Sequence, residues 1–393
     1  MAATLKIMMI GGRRCGKTTI LSKIKQHFNE VLHHGSDDAV KNDLLSLIPP
    51  TGEITKLNNA QDCINDLFSS VENCYQEFAI DENASNDKTV TTFKLNPLKG
   101  NGSMLLEFTD IPGEWCSYIE GYSEKNHMED VKKLIINSNV IIIAIDTPSL
   151  FELDGIHADY YNRINDINEL FRDAFAGETF TKQESQKMIL FVPLKCEKYI
   201  VKDNGNIDVE QQNLVCTKVE RYYRSMIGNF ESYPNNITMA ILPIVTIKEV
   251  EWARYFSLNK NTGEIGVIYN NNGLPKKFVY GNPIMLCSKF RFKPDLYDDV
   301  ADGNKESQSL YCEQPLVYSL VFLFKYYLKY SNRPFWARIP FLGEILDFFR
   351  NLLNLIGLFK QNSAYEFEAE RLRRKIMLRE RNGFRILQNP LNI

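Results

Sequence analysis

Apolar residues recur along the first 330 residues in short continuous runs that alternate with amphipathic segments. The runs predict buried β-strands, and the segments, in which apolar residues recur every three or four positions, predict helices. We predict strands over residues 5–10, 89–95, 103–109, 140–145, 188–193 and 237–245, and helices over residues 18–28, 131–137, 157–175, 209–230 and 314–330. This alternation indicates an α/β fold with a doubly wound, mostly parallel sheet, whose ligand lies at the carboxyl ends of the strands.

Two stretches interrupt the alternation. Residues 29–87 are polar and irregular apart from a predicted helix over residues 60–75, which indicates a long insertion after the first helix. Residues 252–310 contain several turns rich in Asn and Gly, and these favour a small β-rich insertion of two or three short strands. We therefore expect one α/β domain over residues 1–330 that carries both insertions.

Arg333–Pro334 interrupts the chain after the last helix predicted for the α/β domain, and the strand–helix alternation does not continue beyond it. We expect residues 331–393 to form an amphipathic and basic helical tail. Large apolar residues in 335–359 fall on one helical face, but charged residues among them disfavour a membrane-spanning helix. The face could dock on the α/β domain, on a partner protein or in the plane of a membrane. The basic residues near 371–381 fit an anionic lipid, nucleic acid, an acidic protein, or simply solvent.

The overall composition is that of a globular protein, with 44% hydrophobic and 24% charged residues in 393. A formal net charge of −3 gives no specific nucleic-acid signal. The eight cysteines form no C-x-x-C pair and no cluster with the five histidines, which argues against a zinc site or a disulfide framework.

The same features suggest where the protein resides. The chain runs from Met1 directly into a predicted strand, so we expect no signal peptide, and it has no uninterrupted apolar run of spanning length. We expect a cytoplasmic protein with reduced thiols, and peripheral membrane contact through the tail is the open alternative.

The loop between the first strand and the first helix carries the clearest chemistry. Residues 11–18, Gly-Gly-Arg-Arg-Cys-Gly-Lys-Thr, fit the pattern G-x-x-x-x-G-K-[ST] in its required strand–loop–helix context. Such a loop points backbone N–H groups at phosphate oxygens, Lys17 reaches the β- and γ-phosphates, and the Thr18 hydroxyl suits Mg²⁺. The predicted phosphate-site residues are Gly11, Gly12, Arg13, Arg14, Cys15, Gly16, Lys17, Thr18 and Thr19. The alternative is a glycine-rich turn without a ligand.

A second motif, Asp110-Ile111-Pro112-Gly113, follows a predicted hairpin. An Asp at the end of an apolar strand can hold Mg²⁺ through water, and a Gly three residues later can offer its N–H to the γ-phosphate. Thr51, in the turn at Pro49–Gly52, is the third predicted metal ligand after Thr18 and Asp110. The alternative for residues 110–113 is an ordinary strand-end turn.

The order of these motifs, followed by strands that end near Lys195 and at Thr246, resembles the Ras-like P-loop GTPases of the TRAFAC class. More specifically, it is similar to the bacterial TRAFAC-clade double-GTPase proteins, over most of residues 1–330. The resemblance implies that the chain binds GTP or GDP with Mg²⁺, that Lys17 binds phosphate and supports catalysis, and that Gly113 senses the γ-phosphate.

The family reads guanine with Asn-Lys-x-Asp, and the corresponding residues here are Leu194-Lys195-Cys196-Glu197. The resemblance implies that the Lys195 stem lies over the base, that Glu197 accepts hydrogen bonds from the guanine edge, and that Thr246 lies near the base. Leu194 lacks the amide that would bridge back to the phosphate loop. The alternative for Lys195-Cys196-Glu197 is an ordinary surface turn, and the alternative for Thr246 is a strand-end cap. Because these residues would then not read guanine, ATP is the second candidate nucleotide.

Glu114 stands where Ras-like enzymes commonly have a water-positioning Gln, so the resemblance implies slow hydrolysis. A carboxylate repels the γ-phosphate unless it is protonated or paired. Arg14, with Arg13, could supply positive charge to the transition state, or both could face solvent or a partner.

We therefore expect a Mg²⁺-dependent guanine-nucleotide switch that hydrolyses GTP slowly and controls a partner protein, for which a second GTPase is one candidate. The alternatives are an ATP-binding P-loop enzyme and a non-hydrolysing nucleotide-bound scaffold that acts through the tail.

Overall fold

The computed structural model describes residues 3–24, 45–48, 74–79, 87–97, 104–116, 125–153, 155–176, 186–259, 263–265, 285–301, 308–330 and 384–391. The strands are β1 (Ala3–Gly11), β2 (Leu45–Ile48), β3 (Phe78–Ala79), β4 (Thr89–Pro97), β5 (Met104–Asp110), β6 (Val140–Asp146), β7 (Lys187–Leu194), β8 (Ile237–Ile241), β9 (Val250–Asn259), β10 (Gly263–Ile265), β11 (Met285–Phe292) and β12 (Arg385–Gln388). The helices are α1 (described over 17–24), α2 (Lys125–Asn137), α3 (Thr147–Glu152), α4 (Gly155–Asn162), α5 (Ile164–Phe175), α6 (Glu197–Ile200), α7 (Val209–Tyr222), α8 (Arg224–Glu231), α9 (Pro294–Ala301) and α10 (Gln314–Tyr330).

Eight of the described strands form one mixed sheet in the order β12-β8-β7-β6-β1-β5-β4-β2. The five strands from β8 to β5 are parallel to one another, and the strands at both edges are antiparallel to their neighbours. The prediction of a mostly parallel α/β sheet is confirmed, and the architecture is that of a P-loop α/β fold.

Helices cover both faces of this sheet, as the apolar central strands require. In β6 every residue is buried, and successive side chains point to opposite faces. Ile142 packs with residues of α1 and α10 on one face, whereas Ile141 and Ile143 pack with residues of α5 and α7 on the other. The sheet is therefore fixed between two apolar layers, and its polar chemistry is confined to the strand ends.

A second, antiparallel sheet has the order β10-β9-β11-β3. Its strand β3 lies in the stretch expected to be the first insertion, and the other three lie in the stretch expected to be the second. Phe78 of β3 packs on the rings of Phe290 and Phe292 of β11, and an ion pair joins Glu77 to Arg254 at 2.8 Å. The two stretches thus meet in one sheet, a pairing that local patterns do not reveal.

Two predicted helices are each divided into two. The helix expected over residues 157–175 is broken at Arg163, which has a φ of 55° in the left-handed region and separates α4 from α5. The helix expected over residues 209–230 is broken at Tyr223, whose φ of −95° and ψ of 13° are not helical. Both predictions were wrong about continuity, because the apolar spacing continues across each break.

The last described strand differs from the expected helical tail. Strand β12 pairs with β8 at the edge of the main sheet, the flanking Phe384 and Leu391 are buried, and Arg385 forms an ion pair with Glu220 at 2.6 Å. A segment of four residues acquires strand structure only through such pairing, so its own sequence carried little signal. The predictions for Thr51, for residues 60–73 of the helix expected over 60–75 and for the tail between 331 and 383 lie outside the described residues, and Cys74 and Tyr75 form a turn.

None of the helices in the described ranges is long and apolar enough to cross a membrane.

Candidate functional site

The predicted phosphate-binding loop occupies residues 11–16, between the end of β1 and the start of α1 at Lys17. A Cβ atom added to Gly11 would lie 2.4 Å from the carbonyl oxygen of Ala144 in β6, and one added to Gly12 would lie 1.8 Å from that of Tyr161. Gly16 has a φ of 103°, which disfavours any residue with a side chain. Close approach and backbone conformation therefore both require glycine in this loop.

Lys17 folds back over the loop. Its Nζ atom donates to the carbonyl oxygens of Gly11 at 3.3 Å and Gly12 at 3.0 Å, and its side chain is buried. Burial opposes the charge, but nearby acidic groups, Asp110 and Glu114 among them, favour it, so that the pKa of Lys17 lies above its ordinary value. The ammonium is therefore charged at neutral pH and is held at the centre of the loop.

Thr18 and Asp110 bring the two predicted motifs together. The Thr18 hydroxyl donates to Oδ2 of Asp110 at 3.2 Å, because β1 and β5 are parallel neighbours and Met9 is in register with Asp110. Hydroxyl and carboxylate oxygens are the ligands that Mg²⁺ prefers, so this pair fits the predicted ion. The described residues contain no group of three His, Cys, Asp or Glu side chains that could hold a metal, so the remaining ligands of Mg²⁺ at this pair would include phosphate oxygens and water.

The loop after β5 lies directly against the phosphate loop. A Cβ atom on Gly113 would lie 2.4 Å from the backbone nitrogen of Arg13, so the two backbones are in contact. Glu114 and Arg13 form an ion pair, with 2.9 Å between Oε1 and Nη1. The charge of Glu114 is thereby paired. A carboxylate beside a γ-phosphate repels it unless the carboxylate is protonated or paired, and Glu114 meets the second condition.

The remaining residues of the predicted phosphate site have these positions. Arg14 lies in the loop with a φ of 63°, Cys15 is buried beneath the loop, and Thr19 is the third residue of α1. Burial raises the pKa of the Cys15 thiol, which therefore remains neutral at physiological pH.

Lys195 follows β7 and has a φ of 57°. Its Nζ atom is 2.6 Å from Oδ1 of Asp146 and donates to the hydroxyl of Ser288 at 3.2 Å. Sequence reasoning did not assign Asp146 to the site, although the turn Asp146-Thr147-Pro148 after a buried strand was a usable signal. Ser288 lies far along the chain in β11, and no local pattern indicates that it reaches Lys195.

Glu197 and Thr246 also lie together. Glu197 is buried, and its Oε1 accepts from the backbone N–H of Thr246 at 2.8 Å, from the Thr246 hydroxyl at 3.0 Å and from the N–H of Ile247 at 3.4 Å. Burial raises the pKa of Glu197. This carboxylate fastens the segment after β8 to the start of α6, and its role in reading a base stays a prediction.

All of these groups lie at the carboxyl ends of neighbouring parallel strands: Asp110 at β5, the glycine-rich loop at β1, Asp146 at β6 and Lys195 at β7. This edge is where open α/β sheets bind ligands. The fold and the loop together define a P-loop α/β protein.

Comparisons with known proteins add little to this description. No protein-family model matches the sequence, and a search of characterised proteins by sequence finds no match. One matching solved structure is the GTPase-like domain of S. cerevisiae Ski7, bound to GDP and inorganic phosphate. It is 11% identical over 74% of this chain and 71% of that chain, with a TM-score of 0.32, a likeness too distant to carry an argument.

Proposed function

We propose that this chain is a Mg²⁺-dependent guanine-nucleotide switch of the TRAFAC class, similar to the bacterial double-GTPase proteins, which hydrolyses GTP slowly and whose nucleotide state controls a partner protein. The observation that carries the proposal is the contact between Thr18 of the loop and Asp110 of the Asp110–Gly113 motif. Thr18 and Asp110 belong to different motifs and are 92 residues apart in the sequence, yet they share a hydrogen bond.

Phosphate binding rests on the loop. The ammonium of Lys17 is buried and donates to the carbonyl oxygens of Gly11 and Gly12, and an anion at the loop would give it a stronger, charge-assisted hydrogen bond. The N-terminus of α1 adds its positive dipole end at the same place.

Thr18 and Asp110 are the residues that would hold Mg²⁺, with Thr51 as the further ligand predicted from the sequence. Bound Mg²⁺ neutralises charge on the phosphate oxygens. The chain's own part is to orient the Thr18 hydroxyl, which Asp110 already does through its Oδ2 atom.

The switch rests on the contact between Gly113 and the phosphate loop. Because the two backbones already touch, a γ-phosphate at the loop would lie within reach of the Gly113 N–H and would alter the position of the loop after β5. Slow hydrolysis follows from Glu114, whose carboxylate is engaged by Arg13 and lacks the amide donor of a glutamine. Arg14 is the candidate for positive charge in the transition state.

Base preference is proposed from Lys195, Glu197 and Thr246. One observation favours the second candidate, an ATP-binding P-loop enzyme: Oε1 of Glu197 is already engaged by Thr246 and Ile247, which leaves less of the carboxylate for a guanine edge.

Calorimetric titration of GTP, GDP and ATP with Mg²⁺ tests the proposal in the parent chain and in Lys17→Ala. We expect Lys17→Ala to weaken GTP binding roughly 10- to 100-fold, because a charge-assisted contact to phosphate is lost. Lys198→Ala is the matched control, since Lys198 pairs with Glu152 outside the loop. Equal binding by Lys17→Ala and the parent would contradict phosphate binding.

Two further measurements separate the alternatives. Tighter binding of ATP than of GTP would favour the ATP-binding enzyme. Release of phosphate over several turnovers supports a GTPase, whereas nucleotide binding without release favours a scaffold.

A further inference from the structure

The second sheet places two polar side chains next to the nucleotide site. Tyr255 of β9 and Ser288 of β11 are direct partners across the antiparallel pair, so their side chains lie on the same face of the sheet. The Tyr255 hydroxyl donates to Oδ2 of Asp146 at 2.5 Å, and the Ser288 hydroxyl accepts from Nζ of Lys195 at 3.2 Å. The two residues therefore hold the two members of one ion pair.

Asp146 is fixed in a single orientation by this arrangement. Its Oδ1 atom faces Lys195 at 2.6 Å, and its Oδ2 atom accepts both from Tyr255 and from the backbone N–H of Ser149, which it caps at the start of α3. The Asp146 side chain is only 8% exposed, so water screens these contacts little. A lysine has a long flexible stem, and here its ammonium is fixed at both Asp146 and Ser288.

The ion pair lies on the side of the phosphate loop where a base would extend. Thr18 and Asp110 place the metal and the terminal phosphate on the β5 side of β1. The rest of a bound nucleotide then extends toward β6 and β7, on the other side of β1. Leu194, which precedes Lys195, is 3.5 Å from the Cβ position of Gly16, so this strand end adjoins the loop.

We propose that Tyr255 and Ser288 are positioning residues of the nucleotide site. Tyr255 acts on Lys195 through Asp146, Ser288 acts on it directly, and together they hold Lys195 in the orientation in which its stem lies against the base. The inference rests on the proposed nucleotide-binding function. It adds that the second sheet forms part of the site and contributes to the affinity for the base.

A double-mutant cycle tests this inference in the full chain, with GDP and ADP as ligands in calorimetric titrations. The variants are Tyr255→Phe and Ser288→Ala, each made in the parent and in a Lys195→Met background. We expect Tyr255→Phe to weaken GDP binding about tenfold and Ser288→Ala about threefold in the parent. In the Lys195→Met background both effects should fall to within about twofold, because neither residue then has a lysine to hold.

Tyr199→Phe is the matched control. The Tyr199 hydroxyl donates to a carboxylate oxygen of Glu152 at 3.0 Å, so this change also removes a tyrosine–carboxylate hydrogen bond, but one that does not involve Lys195. We expect its GDP affinity to match that of the parent. Thermal melts of every variant report whether it is folded, and Ser288→Ala, the smaller change, tests the same point if Tyr255→Phe is unstable.

The outcomes separate this inference from the proposed function. A parent chain that binds neither GDP nor ADP contradicts the proposed function. If the parent binds nucleotide, three results would overturn the inference alone. Both variants could leave the affinity unchanged, or their losses could persist in the Lys195→Met background. They could also tighten binding, which would mean that the second sheet blocks the base.

Discussion

Arg13 of the phosphate loop and Glu114 of the loop after β5 form an ion pair, with 2.9 Å between Nη1 and Oε1. The side chains are 34% and 27% exposed, so water screens the pair and its contribution to stability is at most about 1 kcal/mol. In the proposed function, a phosphate group at the loop would compete with Glu114 for Arg13, and the small energy of the pair would allow the exchange. The occupancy of the loop would then be linked to the position of Glu114.

Replacing Glu114 with Gln should raise the ratio of GTP to GDP affinity, by about three- to tenfold. The change removes a negative charge near the terminal phosphate and breaks the ion pair with Arg13. Calorimetric titration of both nucleotides measures the ratio. Glu220→Gln, which also removes the carboxylate of an Arg–Glu pair but on the far edge of the sheet, should leave the ratio unchanged. A ratio that falls in Glu114→Gln would show that the pair supports triphosphate binding.

Thr18→Ala should reduce the dependence of GDP affinity on Mg²⁺. The parent should bind GDP more tightly with Mg²⁺ than with a chelator, and we expect the variant to lose roughly tenfold of that difference, because the hydroxyl next to Asp110 is removed. Ser22→Ala is the control, because its hydroxyl donates within α1 to the carbonyl oxygen of Thr19. An unchanged Mg²⁺ effect in Thr18→Ala would remove Thr18 from the metal site.

Gly113→Ala should weaken nucleotide binding at least tenfold and lower the melting temperature. The added Cβ atom would lie 2.4 Å from a backbone nitrogen of the phosphate loop, and backbone cannot yield as a flexible side chain does. Gly228→Ala in α8 meets nothing within 4 Å and should stabilise the helix by about 0.5–1 kcal/mol. Nucleotide titration and thermal melts check both variants, and normal binding by Gly113→Ala would contradict the close contact.

Lys187 predicts a pH dependence of stability. Its Nζ atom donates to the carbonyl oxygens of Ile136 at 2.7 Å and Ser138 at 2.6 Å, and burial lowers its pKa to about 7. Between pH 7 and 10 the unfolded chain keeps a proton that the folded chain has lost, so this group makes stability rise with pH, by at most about 1.4 kcal/mol per unit.

Urea unfolding of the parent and of Lys187→Met at pH 7, 8, 9 and 10 measures this effect. The free energy of unfolding of the parent should increase with pH relative to that of the variant. Lys133→Met, at a lysine whose side chain is 69% exposed, should show no such trend. A constant difference between parent and Lys187→Met would show that the lysine stays charged in the folded protein.

The strand at the chain's end should matter for stability. Phe384 is buried against Tyr311, with 5.1 Å between the ring centroids, and we expect Phe384→Ala to lower the free energy of unfolding by about 3 kcal/mol. Ile156→Ala, at a residue that is 68% exposed, should change it by less than about 0.5 kcal/mol. Urea unfolding compares the two, and equal effects would show that β12 is not held on β8.

The central strands of the main sheet, from β8 to β5, were predictable because their apolar runs are local, whereas β2 at one edge was not predicted. Helix α10 begins and ends where apolar spacing places it, β6 extends one residue past its predicted end, and β7 extends one residue past its predicted bounds at each end. The breaks at Arg163 and Tyr223 were not predictable, because the apolar spacing continues through both. Strand β12 was missed because a four-residue strand exists only through its partner.

The candidate site divides in the same way. Lys17, Thr18, Asp110 and Gly113 fit a motif spacing that the backbone geometry of such a loop requires, so the sequence alone predicts that they lie at one phosphate site. Other contacts of the site depend on which strands become neighbours in the folded protein. These contacts are the ion pair of Arg13 with Glu114 and the hydrogen bonds of Tyr255 with Asp146 and of Lys195 with Ser288. Short stretches of sequence determine the residues of a local motif. Contacts between residues about 100 positions apart form only when the chain folds into its two sheets, and these contacts determine which charged groups can bind a ligand.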